Sequence, residues 1–233
     1  MGSEAPVALI TGSNRGSGFA IAAELYARGY RVFSLNRSVS GAEWLGERRC
    51  DLADPSASAA VVSAVLAEAG RLDVVVANAV DRVLDPIEKM SEEDWDRQLE
   101  INLSSVFRLV KHVLPALRRS RGLFVVMGSH AGSYYFEGGV AYSATKAALK
   151  ALVETLLLEE RNNGVRACLL APGAISNLDG DDAPTKVSVE SVGRCVASIV
   201  ADWPHDLVVG ELEFRPALLP TPPVTGIDRL LHV

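Results

Sequence analysis

The stretch Val7-Ala8-Leu9-Ile10-Thr11-Gly12-Ser13-Asn14-Arg15-Gly16-Ser17-Gly18-Phe19-Ala20-Ile21-Ala22-Ala23-Glu24-Leu25 decides the fold. Its first four residues form an unbroken apolar run, the pattern of a strand buried on both faces. From Phe19 onward the apolar spacing is helical. Between them lies a turn rich in glycine. A strand, a glycine-rich turn and a helix in this order make a phosphate-binding arrangement. The glycines let the backbone approach a pyrophosphate, and the helix N-terminus offers free N–H groups and the positive end of its dipole. The glycine spacing is G-x-x-x-G-x-G rather than G-x-G-x-x-G, yet a plain turn would need fewer glycines. Gly12, Asn14, Arg15, Gly16, Ser17 and Gly18 are therefore candidates for holding a dinucleotide.

Working outward, Arg31-Val32-Phe33-Ser34-Leu35 is a second strand followed by Asn36-Arg37-Ser38. In a dinucleotide fold, the end of this strand meets the adenosine ribose. An acid there binds the 2′-hydroxyl of NAD, and an arginine suits the 2′-phosphate of NADP. This chain has Arg37 and no acid, and Arg15 can reach the same region. Either arginine alone is an ordinary surface residue; together they favour NADP(H), with NAD(H) as the alternative. Arg48 to Leu52 reads as a third strand, and Asp54-Pro55 caps a helix to about Ala69. Asp51 is either an acceptor for an adenine amino group or a strand-end cap. Leu72 to Ala79 is a fourth strand running into a turn, where Asn78 can bridge backbone groups.

Ser91-Glu92-Glu93-Asp94 is a capping box that opens a helix expected to run unbroken to about Leu114. Asn102 sits within it as a poor helix former, holding either a buried polar contact or a solvent-facing position. Gly122 to Ser129 is the fifth strand. Ser129 stands at its C-terminal end, where open parallel sheets bind ligands, and His130 follows as either an acid/base or a packing residue. Tyr142 and Lys146 lie four residues apart in a helical run, so phenol and ammonium share one face. A cation near a phenol favours the phenolate and makes the tyrosine a usable proton donor and acceptor. Five tyrosines and five lysines yield such a pair by chance about 0.1 times, so its weight comes from context. Val165 to Leu170 is the sixth strand, closed by Pro172-Gly173, and Leu207 to Leu212 the seventh. Asp179, Asp181 and Asp182 lie in a Gly/Pro-rich loop without metal-ligand spacing and read as solvated. The tail from Pro216 is Pro-rich and then apolar. The alternation implies a doubly wound α/β fold of about seven parallel strands with helices on both faces. No compositional break divides the chain, so residues 1–233 are expected to form one domain.

Composition removes other classes. The net charge of −6 argues against a non-specific nucleic-acid binder, and no apolar run approaches a membrane span. The three cysteines, Cys50, Cys168 and Cys195, are scattered, so neither a disulfide framework nor a metal is expected, and a reducing cytoplasm is the expected location.

These pieces together resemble the short-chain dehydrogenase/reductase family over nearly the whole chain. The matching residues are Thr11-Gly12-x-x-x-Gly16-x-Gly18, Asp51-Leu52, Asn78-Ala79, Asn102, Ser129, Tyr142-x-x-x-Lys146 and Pro172-Gly173. The resemblance implies NAD(P)(H)-dependent interconversion of a carbonyl and an alcohol of a small molecule. It implies Tyr142 as acid/base, Ser129 as the partner of the substrate oxygen, and Lys146 holding the nicotinamide ribose and lowering the Tyr142 pKa. It implies Asn102 in a water-linked relay to Lys146, the glycines on the pyrophosphate, Asp51 on the adenine, and Ile175 and Ser176 beside the carboxamide. It further implies a homodimer or homotetramer built through the Asn102 and Tyr142 helices. The chain departs from the family at Val80, where glycine is usual, at Ser17, and in a short loop after Gly173. The residues expected to line a substrate are His130, Tyr134, Tyr135, Val140 and the stretches after Val80 and Ala174. The leading reading is an NADPH-dependent ketoreductase. The alternatives are an NAD-dependent alcohol or diol dehydrogenase and a non-catalytic NADP(H)-binding sensor.

Overall fold

The computed structural model describes residues 5–177, 180–181, 183–218 and 227. At its centre is a sheet of seven strands in the order β3-β2-β1-β4-β5-β6-β9, every neighbouring pair parallel. The strands are β1 (Val7–Thr11), β2 (Arg31–Asn36), β3 (Gly46–Arg49), β4 (Val74–Ala77), β5 (Leu123–Met127), β6 (Arg166–Pro172) and, after a small ribbon of β7 (Ile175–Ser176) and β8 (Val187–Ser188), β9 (Glu211–Phe214). β1 pairs with both β2 and β4, so the chain grows outward on one side, returns, and grows on the other. The C-terminal ends of β1 and β4 thus open a crevice at the switch point.

Six helices cover the sheet: α1 (Gly16–Ala27), α2 (Pro55–Ala69), α3 (Glu92–Leu99), α4 (Ser105–Ser120), α5 (Val140–Glu160) and α6 (Val189–Ala201). Strand alternation divides the apolar residues between two layers. Leu9 and Val75 pack with Val62 of α2, Val113 of α4 and Leu149 of α5. Ala8, Ile10, Val74 and Val76 pack on the other face with Ile21 of α1 and Val196 of α6. The helices of that second layer approach closely at Gly193, where an added Cβ would lie 2.7 Å from the Ala20 carbonyl oxygen.

Three boundaries differ from the sequence expectation. β3 ends at Arg49, before the expected Cys50 to Leu52, because its register is set by pairing Gly46 with Phe33 and Arg49 with Asn36. The last strand begins at Glu211 rather than Leu207, which is taken up in a turn closing on the Pro204 carbonyl. The helix expected from Ser91 towards Leu114 runs on to Ser120 as α3 and α4, continuous through one π-helical turn over Glu100–Ser104. Asn102 sits in that turn, and the Ser105 hydroxyl donates back to the Ile101 carbonyl at 2.6 Å. The N-cap half of the capping box is present, with Ser91 Oγ accepting from the Asp94 N–H at 3.0 Å, while the Asp94 carboxylate accepts from the Ser91 hydroxyl at 2.7 Å rather than from its N–H. In the acidic loop, Asp181 pairs with Lys186 at 2.7 Å, while Asp179 and Asp182 lie outside the described residues. So does most of the tail beyond Leu218.

The contact at Gly193 leaves no room for a side chain. Gly193→Val is expected to cost about 1–3 kcal/mol by overpacking, read as a lowered thermal midpoint with the far-UV spectrum retained.

Candidate active site

The crevice is a cleft of about 520 Å³ lined by the glycine loop, the ends of β2 and β4, and Tyr142. The loop is tied down from several sides. The Ser13 N–H donates to Asn36 Oδ1 at 2.7 Å, and the Ser13 and Ser34 hydroxyls meet at 2.6 Å. Asn78 Nδ2 donates to the Gly12 carbonyl at 2.9 Å and to the Thr11 carbonyl at 3.2 Å. Thr11 Oγ1 accepts in return from the N–H groups of Asn78 and Ala79, both at 3.1 Å. At Gly18 an added Cβ would lie 2.2 Å from the Gly12 carbonyl oxygen, so only glycine lets α1 start beneath the loop. The N-cap position of α1, Arg15, makes no side-chain cap, which leaves first-turn N–H groups facing the cleft. These features fit a pyrophosphate.

Arg15 and Arg37 both line the cleft and are exposed, and Asn14 joins the loop to the end of β2 by donating to Ser38 Oγ at 3.0 Å. Asp51 and Leu52 line the same end; Asp51 Oδ1 accepts from the Ala53 N–H at 3.0 Å, closing a turn. Asn36 is buried behind the loop and does not line the cleft.

At the other end of the cleft stands Tyr142, placed by the first turn of α5. Ser129 follows β5 directly. Its Oγ accepts from the Ala131 N–H at 3.1 Å, and its hydroxyl lies close enough to the Tyr142 phenol to act on its pKa. Burial pushes the Tyr142 pKa above that of an ordinary tyrosine; the Ser129 hydroxyl and the charge of Arg82 pull it back down. Lys146 is 4% exposed and donates to the Met127 carbonyl at 2.6 Å. Its Nζ stands 5.7 Å from the centre of the Tyr142 ring, on the ring face. Burial lowers its pKa to about 8.

Asn102 is 1% exposed, which removes the solvent-facing reading. Its carboxamide pairs with the backbone of Asp81, accepting from the N–H and donating to the C=O, each at 2.8 Å. Its Nδ2 also reaches Thr145 Oγ1 at 3.3 Å, which connects the π-turn to α5. His130 is 1% exposed, and burial pushes its pKa down while Glu213, 3.4 Å from Nε2, acts against that. Neither ring nitrogen has a hydrogen-bond partner among the described residues. Ile227 packs with Tyr134 and Tyr142 against Ala131 and Phe136, forming an apolar wall beside the phenol.

Sequence reading stopped one residue short in the turn after β6. Pro172, Gly173, Ile175 and Ser176 lie outside the cleft lining, and Asn177 enters it. Asn177 Oδ1 accepts from both the N–H and the hydroxyl of Ser17 at 3.0 Å, bringing a partial negative charge to the start of α1. Arg82, which lines the cleft with Tyr142, falls in the stretch after Val80 that the sequence marks as substrate-lining, without being distinguished there from its neighbours.

A parallel sheet with a phosphate-type loop at its switch point, a tyrosine lining the same cleft, and a serine and a buried lysine next to that tyrosine but outside the lining, defines a dinucleotide-dependent oxidoreductase. A family model described as short chain dehydrogenase matches residues 6–179. The chain belongs to this family, whose members act on CH–OH and carbonyl groups. The 3-oxoacyl-(acyl-carrier-protein) reductase of Escherichia coli (strain K12) is 35% identical over 184 residues, 75% of either chain. An alcohol dehydrogenase from the archaeon Thermococcus sibiricus, complexed with 5-hydroxy-NADP, is similar with a TM-score of 0.86 and 30% identity. The match covers 94% of this chain and all of that one. A metagenomic short-chain oxidoreductase in complex with NADP gives a TM-score of 0.81 at 30% identity, over 91% of this chain and 98% of the other. Among the described residues, no helix is long and apolar enough to cross a membrane.

The buried lysine has a measurable signature. Its folded-state pKa of about 8 lies below the ordinary 10.5, so between those values the unfolded chain binds a proton that the folded chain does not. Stability therefore rises with pH through that window. Relative to Lys146→Met, the cofactor-free protein should gain about 2–3 kcal/mol between pH 7 and pH 10. Urea unfolding of both proteins at the two pH values reads this, and a constant difference would show that Lys146 is not desolvated.

Proposed function

We propose that the protein is an NADPH-dependent reductase of a small-molecule ketone, with Tyr142 as the acid/base. The observation that carries this reading is Tyr142 in a cleft that also presents Arg15 and Arg37, with the buried Lys146 over its ring and Ser129 acting on its phenol. Bound NADPH supplies the hydride from C4 of its nicotinamide. Gly12, Gly16, Gly18 and the first turn of α1 hold the pyrophosphate. Arg15 and Arg37 take the 2′-phosphate as charge-assisted donors, Asp51 faces the adenine, and Ile175 and Ser176 lie towards the carboxamide. Lys146 holds the nicotinamide ribose.

The chemistry of the chain is proton handling at one oxygen. As negative charge develops on the substrate oxygen, Ser129 donates a hydrogen bond to it and Tyr142 transfers its proton. Ser129 Oγ accepts from the Ala131 N–H, so its single proton is the one it donates, and that proton turns from Tyr142 to the substrate oxygen when substrate is present. Tyr142 is reprotonated through the Lys146 amine, whose pKa of about 8 suits it to exchange protons near neutral pH. The reverse direction is alcohol oxidation by the same groups. We place the enzyme in the cytoplasm, and the apolar surface of α4 and α5, with Phe107 and Leu158 exposed, supports pairing of two copies through those helices.

Tyr142→Phe is expected to lower kcat at least 10²-fold in an NADPH-oxidation assay, with the NADPH dissociation constant changed less than about twofold. Full activity in that variant would remove Tyr142 from the chemistry. Titrations should give NADPH a dissociation constant about tenfold or more below that of NADH, with Arg37→Ala narrowing the gap; equal affinities would remove the arginines from cofactor choice.

A further inference from the structure

Of the charged groups lining the cleft, Arg15, Arg37 and Arg82 make no hydrogen bond or ion pair among the described residues, and the reading above gives Arg15 and Arg37 to the cofactor. Arg82, on the loop after β4, lines the same wall as Tyr142 and Ile101. It makes no hydrogen bond or ion pair among the described residues. The acid next to it is already committed: the Asp81 carboxylate pairs with Arg97 at 2.8 Å. The Asp81 backbone is clamped on both sides by Asn102, which fixes the root of the Arg82 side chain. Further along that loop, Asp85 forms an isolated parallel bridge through its backbone with Gly139, just before α5.

A dinucleotide does not account for this guanidinium. Its phosphates belong at the glycine loop and at Arg15 and Arg37, and its nicotinamide end carries no phosphate. The oxidised nicotinamide is itself cationic, so the second ligand that best complements an arginine beside Tyr142 is an anion. The field of Arg82 already reaches the Tyr142 phenol and lowers its pKa.

Resting on the reductase reading above, we propose that Arg82 is a substrate-anion site, and that the preferred substrate is a ketone bearing a carboxylate that Arg82 holds while its carbonyl faces Tyr142 and Ser129. A guanidinium matches a carboxylate with two parallel N–H donors, which fixes direction as well as distance. The apolar wall of Phe136, Tyr134 and Ile227 then receives the other substituent of the carbonyl. The site thus distinguishes the two sides of the ketone by charge on one and apolar surface on the other.

The test is a matched series of oxo acids, with one, two or three carbons between carbonyl and carboxylate, each beside its methyl ester. For the best-fitting acid, kcat/KM should exceed that of its ester by about tenfold or more. In Arg82→Gln the acid-to-ester ratio should fall to within about twofold of unity, chiefly through KM, and Arg82→Lys should keep part of the preference. In the alcohol-oxidation direction, Arg82→Gln should also move the acidic limb of the pH profile upward, which a merely structural role would not do. Equal rates on acid and ester in the wild type overturn the proposal, as does a ratio that survives Arg82→Gln. NADPH affinity weakened more than about fivefold by Arg82→Gln, with the ratio intact, assigns Arg82 to the cofactor instead. If no carbonyl compound of either kind is reduced, the reductase reading fails separately. Calorimetric titration of the acids into the enzyme with NADP⁺ then decides the anion site: binding lost in Arg82→Gln supports it, and no binding overturns it.

Discussion

The structure depends on β1 being paired on both sides by parallel strands. Every backbone group of β1 is then committed to its neighbours and both of its faces are buried, so only its C-terminal end is open. The chain leaves β1 towards α1 and β2, and leaves β4 in the opposite direction along the sheet. Two loops therefore diverge at one point, and the gap between them is the cleft. The energetic problem lies in those loops, which have ladder partners on neither side yet are too close to the core to be fully solvated.

Asparagine solves it repeatedly. A carboxamide offers the same donor and acceptor as a peptide group on a short tether. Asn36 takes the Ser13 N–H, Asn78 donates to the Thr11 and Gly12 carbonyls, Asn102 pairs with both backbone groups of Asp81, and Asn177 takes the Ser17 N–H. Each bond joins segments at least 21 residues apart. The glycine loop and the loop after β4 are thus fixed by side chains acting as peptide groups, which gives the cleft a defined shape before any ligand arrives.

How much of this is legible in the sequence follows from whether its cause is local. β1, β4 and β5 are unbroken apolar runs, and the turn chemistry at Gly12 to Gly18 is written in consecutive residues, so the fold class and the loop are readable. β3, with the sequence Gly46-Glu47-Arg48-Arg49, is polar and becomes a strand only through its register on β2. The π-turn at Asn102 is set by a contact with Asp81, across the loop, which no helical periodicity records. Asn177 follows a two-residue strand and acts on α1 from 160 residues away, so its residue type gave no sign of its position. The Tyr142 and Lys146 spacing was readable as a shared helix face, but the direction of the lysine was not.

That direction changes the electrostatics of the tyrosine. Spacing alone suggested that Lys146 acts directly on the phenol. In the structure the ammonium turns to the Met127 carbonyl and meets the ring by its face, while the hydroxyl is influenced by Ser129 and Arg82. The two cations thus have separate roles. Arg82 is exposed, always charged, and lines the cleft with Tyr142. Lys146 is buried and close enough to neutrality to give up its proton. On the proposed reading of Tyr142 as the acid/base, a group that must both donate a proton and recover it needs a partner of the second kind behind it and a fixed field in front. A single lysine placed against the hydroxyl could not provide both, because losing its proton would also remove the charge that tuned the phenol.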